Sequence, residues 1–162
     1  MSYTRFGAMI ATATIIMFGL MYLNSYALDH VRFSQTRMWM ALLMGATMAA
    51  IMLAFMLSMY SNVKLNIAII GVSLAVWLGS LWLVRSQETV YDIDYMKAMI
   101  PHHSIAILTS RRAHIKDPRV RKLADDIISA QVREIEEMKK LVADLKKKPT
   151  KPDAPDLLPR DN

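Results

Sequence analysis

Residues 38–60 read Met38-Trp-Met-Ala-Leu-Leu-Met-Gly-Ala-Thr-Met-Ala-Ala-Ile-Met-Leu-Ala-Phe-Met-Leu-Ser-Met-Tyr60, without a single Asp, Glu, Lys or Arg. A membrane-spanning helix needs about 20 predominantly apolar residues, and this stretch supplies them. Two neighbours do the same, Phe6 to Leu28 and Leu65 to Val84, and neither carries a charge inside. Charge is divided accordingly. Up to Val84 the chain holds only Arg5, Asp29, Arg32, Arg37 and Lys64, while the remaining 29 of its 34 charged residues follow. With 54% hydrophobic residues against 21% charged, the composition is too apolar for an ordinary soluble domain. The first stretch is expected to stay in the mature protein as a span and not to be a cleavable signal peptide, since it exceeds a typical apolar region of that kind and is followed by two more spans.

The second span repeats methionine at Met40, Met44, Met48, Met52 and Met56, and beside it run Ala41, Gly45 and Ala49. Small residues four apart are the usual device for close helix packing in lipid, and flexible methionines fill irregular gaps. Packing is the first reading of this stripe, and a thioether path for a soft metal is the other. His30, in the first loop beside Asp29, reads as a solvated loop histidine.

Beyond Val84 the pattern changes. Thr89 and Asp92 stand at capping-box spacing, and apolar residues then recur at helical intervals to Ile115. Pro101 removes one helical hydrogen bond and predicts a kink directly before His102 and His103. Asp117-Pro118 restarts a helix, with Asp as N-cap and Pro at the first helical position. Leu123, Ile127, Gln131, Ile135, Met138, Val142 and Leu145 then line one face. Residues 86–147 therefore read as an antiparallel helical hairpin. Residues 148–162, with four of the six prolines, read as a flexible tail. The predicted fold is all-α: three transmembrane helices, a hairpin and a tail.

The chemistry concentrates at residues 96–103. Met96, Met99 and His103 fall at i, i+3 and i+7 on one face, with His102 about 100° around from His103. If the turn centres on Asp117, His103 lies opposite Gln131, Met99 opposite Glu134 and Ile135, and Met96 opposite Met138. Thioether and imidazole together form a soft donor set suited to Cu(I). Core filling by the methionines and hydrogen-bonded histidines is the competing account. His114 is three turns past His103, about 16 Å by helical rise, and cannot join the same mononuclear site within one subunit.

Other functions are excluded by what the chain lacks. Without cysteine there is no disulfide, thiolate nucleophile, zinc ribbon or iron–sulfur cluster. No Glu-x-x-His, His-Glu-x-x-His, P-loop, dinucleotide glycine pattern or Gly-x-Ser-x-Gly elbow occurs. Half of the net charge of +6 lies in the membrane part. In the polar half the basic and acidic residues alternate, so no nucleic-acid surface is expected. No catalytic constellation is found, and the chain reads as a non-enzyme.

The run Asp92, Tyr95, Met96, Met99, Ile100, Pro101, His102, His103, Ala106, followed by Asp117, Pro118, Leu123, Ala124, Ile127, Gln131, Glu134, Ile135 and Met138, resembles the bacterial domain-of-unknown-function family number 305. The similarity covers about 60 residues and lies in a long two-part pattern, Met-Ile-Pro-His-His-x-x-Ala and Gln-x-x-Glu-Ile-x-x-Met. It implies a ferritin-like helical domain, often exported or membrane-tethered, with some members linked to copper binding and resistance. The implied ligands are Met96, Met99, His102, His103 and Met138, with Asp92, Gln131 and Glu134 in support. Many members have methionine six residues after the second histidine, where this chain has Thr109. A hydroxyl does not replace a thioether for Cu(I).

The charge count of the loops mildly favours a cytoplasmic hairpin, whereas the exported character of the family points outward. The expectation is a multi-pass protein of the cytoplasmic (inner) membrane that presents its hairpin on the extracytoplasmic side and binds copper, as Cu(I), for buffering, sensing or delivery. A metal-free accessory subunit docking onto another membrane complex is the second reading. Two short helices make a marginal core, so the hairpin is expected to pack against the membrane part, to form a homo-oligomer or to bind a membrane-protein partner.

Overall fold

The computed structural model describes residues 2–151 and 153–157. Its five helices are α1 (Tyr3–Leu20), α2 (Gln35–Phe55), α3 (Val63–Ser86), α4 (Asp92–Arg112) and α5 (Pro118–Lys147), and there is no strand among the described residues. The first three are long and apolar enough to cross a membrane, at 18, 21 and 24 residues. A helix satisfies its own backbone in lipid, where no water can. Those lengths correspond to about 27 to 36 Å against a hydrocarbon core of about 30 Å.

The apolar stretches and the helices differ at their ends. The first helix leaves off at Leu20 instead of running to Leu28, because the chain unwinds through tight turns at Met21 to Leu23 and then meets Asn24 and Ser25, both turn formers. The second begins at Gln35, where the Ser34 hydroxyl accepts from the Arg37 amide at 3.3 Å. It ends at Phe55, short of Tyr60. The third is capped by Asn62, whose side chain accepts from Leu65 N at 3.1 Å, and it stops at Gln87 in the left-handed region at φ 54°. Hydropathy marks apolar length, whereas hydrogen-bonding side chains mark where a helix starts.

In the membrane part α2 is the central element, with α1 on one side and α3 on the other. Ala41, Gly45 and Ala49 are buried. A Cβ at Gly45 would collide with the Thr14 hydroxyl of α1, and would stand 3.2 Å from its Cγ2. Close approach of α1 and α2 at this point therefore requires glycine. The methionine stripe from Met40 to Met56 is half-buried throughout, as gap-filling side chains are. Phe6, Leu53 and Tyr60 close the bundle at the far end, with the Tyr60 ring 4.8 Å from Tyr3 and 5.5 Å from Phe6.

The α4–α5 hairpin has a core of Met96, Ile100, Ile107, Ile135 and Met138, flanked by Met99, Val142 and Leu145. Asp117 caps α5 as expected, accepting from Arg119 N at 2.8 Å and Val120 N at 3.4 Å. The Thr89–Asp92 capping box does not form. Tyr91 is the N-cap of α4 without a side-chain bond, and Asp92 lies inside the first turn. Helix α4 runs through Pro101 without interruption. Leu123, expected on the inner face, is exposed. In the tail, residues 148–151 and 153–157 carry no helix, and Thr150 donates to Asp92 Oδ2 at 3.0 Å. Residues 158–162 of the expected flexible tail lie outside the described residues.

The hairpin does not stand free. The α1–α2 loop emerges on the same side and grips it. Ser104, fully buried, accepts from the Tyr26 amide at 2.7 Å and lies 3.0 Å from His30 Nδ1. Lys139 bridges Asp29 at 2.6 Å and Glu136 at 2.9 Å, and Gln35 donates to Asp94 at 3.0 Å. His30 is thus a buried docking residue, 9% exposed, and not the solvated loop histidine the sequence suggests. Its partner lies 74 residues away in the chain, and no local pattern announces the contact.

Two stability changes follow. Gly45→Val overpacks the α1–α2 contact and lowers stability by about 1–3 kcal/mol, and Thr14→Ala in the same chain recovers part of the loss. Thermal unfolding of the detergent-solubilised chain, arranged as a double-mutant cycle, reads the coupling. Ser104→Ala strands the Tyr26 amide and the His30 nitrogen in a buried setting and costs about 1–3 kcal/mol. Faster hydrogen exchange at residues 21–34 locates that effect.

Candidate metal centre

The phase of α4 decides which way each candidate ligand faces. With Ser104 turned to the loop, His103 comes 100° back toward the seam with α5, and His102 a further 100° back toward solvent. His103 is half-buried and His102 exposed, as this phase requires. Their rings lie 6.0 Å apart at 60°.

At the seam His103 Nδ1 stands 3.3 Å from Glu134 Oε2, with the histidine side chain 15% exposed and the carboxylate 42%. The contact is within ion-pair distance, yet Nδ1 is buried and makes no hydrogen bond. The same Glu134 oxygen accepts from Gln131 Nε2 at 3.3 Å. The sequence pairs His103 with Gln131, whereas the structure sets Glu134 against it and Gln131 behind Glu134. Residues 131 and 134 occupy one face, and register arithmetic alone does not separate two positions less than a turn apart.

Burial pushes the His103 imidazole below its ordinary value of 6.5; the Glu134 carboxylate opposes this shift and His102 reinforces it. A neutral imidazole offers a lone pair, which is the form a metal requires. At the loop contact, burial likewise holds His30 low, against Asp29.

The methionines divide into two settings. Met96 and Met138 sit inside the aliphatic core with Ile100, Ile107 and Ile135, where a thioether serves as filler. Met99 is half-buried at the edge of that cluster, one turn before His103 on the same side of α4. The structure thus brings together His103, Met99, Glu134 and Gln131. It keeps Met96 and Met138 within the core beside them and turns His102 outward. Asp92 is bonded to Thr150 and lies about 16 Å by helical rise from His103, three turns away. His114 is exposed at the far end of the hairpin.

No group of three or more His, Cys, Asp or Glu side chains suited to a metal occurs among the described residues. Any metal here would need thioether donors. The donor chemistry that fits is soft: a buried imidazole nitrogen without a hydrogen bond, beside Glu134, with Met99 one turn away and a second imidazole at the rim. Met96 and Met138 would reach the same ion only by leaving the core.

The family profile described as Domain of unknown function (DUF305) matches residues 91–157. Uncharacterized protein L153 of Acanthamoeba polyphaga mimivirus is 30% identical over 146 residues, covering 86% of this chain and 94% of that one. The chain belongs to the DUF305 family. An alignment of that length cannot be contained in the DUF305 match and extends into the residues before it. That relative is viral, so the similarity gives the chain no bacterial source. No solved structure matches the chain.

Because the folded DUF305 hairpin holds His103 and His30 below their ordinary values, both favour the neutral state. Their contribution is fully present above the unfolded value of about 6.5 and is lost as pH falls through the lower folded values. Hairpin stability should therefore decline from about pH 6.5 downward. His103→Gln should flatten part of that decline in a urea midpoint series. A midpoint that rises with acidification contradicts the assignment.

Proposed function

We propose that this DUF305 protein is a membrane-anchored Cu(I)-binding protein of the cytoplasmic membrane that presents its hairpin on the extracytoplasmic side and buffers, senses or delivers the metal. The supporting observation is His103 Nδ1, buried at the α4–α5 seam without a hydrogen bond and next to Met99 on the same helix. A buried polar nitrogen left unsatisfied carries a free-energy cost, which a metal would remove. Bound Cu(I) would supply a soft cation that favours thioether and imidazole over carboxylate or water.

In this reading His103 and Met99 hold the ion, and His102 closes the site from the solvent side or passes the ion onward. Glu134, held by Gln131, stands 3.3 Å from His103 Nδ1 and would balance the charge of the ion there. Met96 and Met138 stand behind as reserve thioethers. No group in the site is arranged for turnover, so the role is binding and transfer, not catalysis.

Anaerobic titration of the full chain in detergent with Cu(I), against a competing chelator, tests this directly. The expected result is stoichiometric competition by the wild type and a loss of at least about tenfold in affinity for His103→Ala, in the range that loss of a metal ligand or its support produces. Met99→Leu should weaken binding while leaving the helical spectrum unchanged. Absence of competition by a folded chain overturns the copper reading and leaves the metal-free accessory subunit, which predicts altered partner binding from exposed hairpin residues and none from the histidines.

A further inference from the structure

The membrane part leaves one side open. Helices α1 and α3 both pack on α2 and scarcely on each other, so an apolar groove of about 730 Å³ runs between them over a floor that includes Gly45, Ala46 and Ala49. Its α1 wall extends from Tyr3 to Ile15 and its α3 wall from Leu65 to Val76. By helical rise these walls are about 16 to 18 Å long. Half of a hydrocarbon core is about 15 Å. The groove is therefore one leaflet deep. A transmembrane partner helix, which needs about twice that length, would run off its end.

The outer end of the groove is polar and cationic. Tyr3 donates to Asn66 Oδ1 at 2.8 Å and accepts from the Asn62 amide at 3.2 Å, tying the first turns of α1 and α3 together. Arg5 and Lys64 lie in those same first turns, are exposed, and form no ion pair among the described residues. Apart from Asp29, at the opposite face, no acidic residue occurs before Glu88. Two uncompensated cations thus stand where a headgroup would be.

We propose that this groove binds an anionic glycerophospholipid of the leaflet at the Arg5 and Lys64 end, with an acyl chain between α1 and α3 and the phosphate at the two cations. The groove length selects a lipid over a helix, and the charge selects an anionic headgroup over a zwitterionic one, since a basic residue at a membrane surface favours anionic lipid. This site is independent of the copper reading and lies at the other end of the molecule.

Native mass spectrometry of the full chain in detergent tests it, with phosphatidylglycerol and phosphatidylcholine of identical chains offered in equal amounts. The wild type should retain phosphatidylglycerol in preference, on the order of fivefold or more. The Arg5→Gln, Lys64→Gln double variant should retain both lipids nearly equally. Gly7→Leu should retain neither, because Gly7 lines the groove and a side chain added there meets no protein atom within 4 Å. Ala68→Leu serves as a second filled variant should Gly7→Leu prove unstable. Equal retention by the wild type, an unchanged preference in the double variant, or full retention by the filled variants overturns the proposal. So does a wild-type dimer that Gly7→Leu converts to monomer, which would make a second copy the occupant.

Discussion

One hydroxyl group sets the geometry of the extramembrane half. Ser104 is fully buried, accepts from the Tyr26 amide and meets His30 across the α1–α2 loop. Turning it to the loop fixes the rotation of α4 about its own axis. Every neighbouring side chain then has its direction assigned at 100° per residue. His103 is delivered to the α5 seam, His102 to solvent, and Ile100 and Ile107 to the hairpin core. A rotation of α4 by one residue that seated His102 in the buried place of Pro101 would move Ile100 out to the half-buried place of Met99, so the loop contact and the aliphatic core must agree, and they do.

The same contact joins the two halves of the chain. A two-helix hairpin buries little apolar surface for its length, and the core of five buried residues here is correspondingly thin. The loop adds a second layer through Tyr26, whose ring lies under Arg111 at 5.1 Å, and through Lys139 between Asp29 and Glu136. Burial pulls the Lys139 ammonium down, but its two carboxylate partners outweigh this and raise it. The pair with Asp29 is mostly exposed on the acidic side, so it contributes direction more than energy. Movement at the seam around His103 is one residue away from the group that anchors the membrane loop.

What the sequence discloses follows from the range of each interaction. The spans, the hairpin and the Asp117-Pro118 start are local patterns of apolar length, period and capping, and they are legible within a dozen residues. Gly45 is legible as part of a small-residue face, although its partner Thr14 is not. The candidate residues belong to a two-part motif, yet spacing does not choose between Gln131 and Glu134 as the partner of His103. The His30 contact was invisible, since a loop histidine next to an aspartate carries the same local signature whether solvated or buried. Asp92 belongs to the motif but not to the cluster: a residue that opens a helix can recur in a family for its position at the helix start, where a carboxylate complements the macrodipole.

The buried nitrogen of His103 is the place where fold and chemistry diverge. Its neighbours are paired: Ser104 has Tyr26 and His30, and Glu134 has Gln131. A fold optimised for stability alone would seat a leucine at position 103, between Met99 and the half-buried Ala106, without penalty. It instead places an imidazole there, whose protonation burial disfavours, with Nδ1 3.3 Å from Glu134 and without a hydrogen bond. Such local breaks are expected at functional or strained positions. The break lies where imidazole and carboxylate meet, one turn from Met99, and the cost is borne by a hairpin that the membrane loop has already secured.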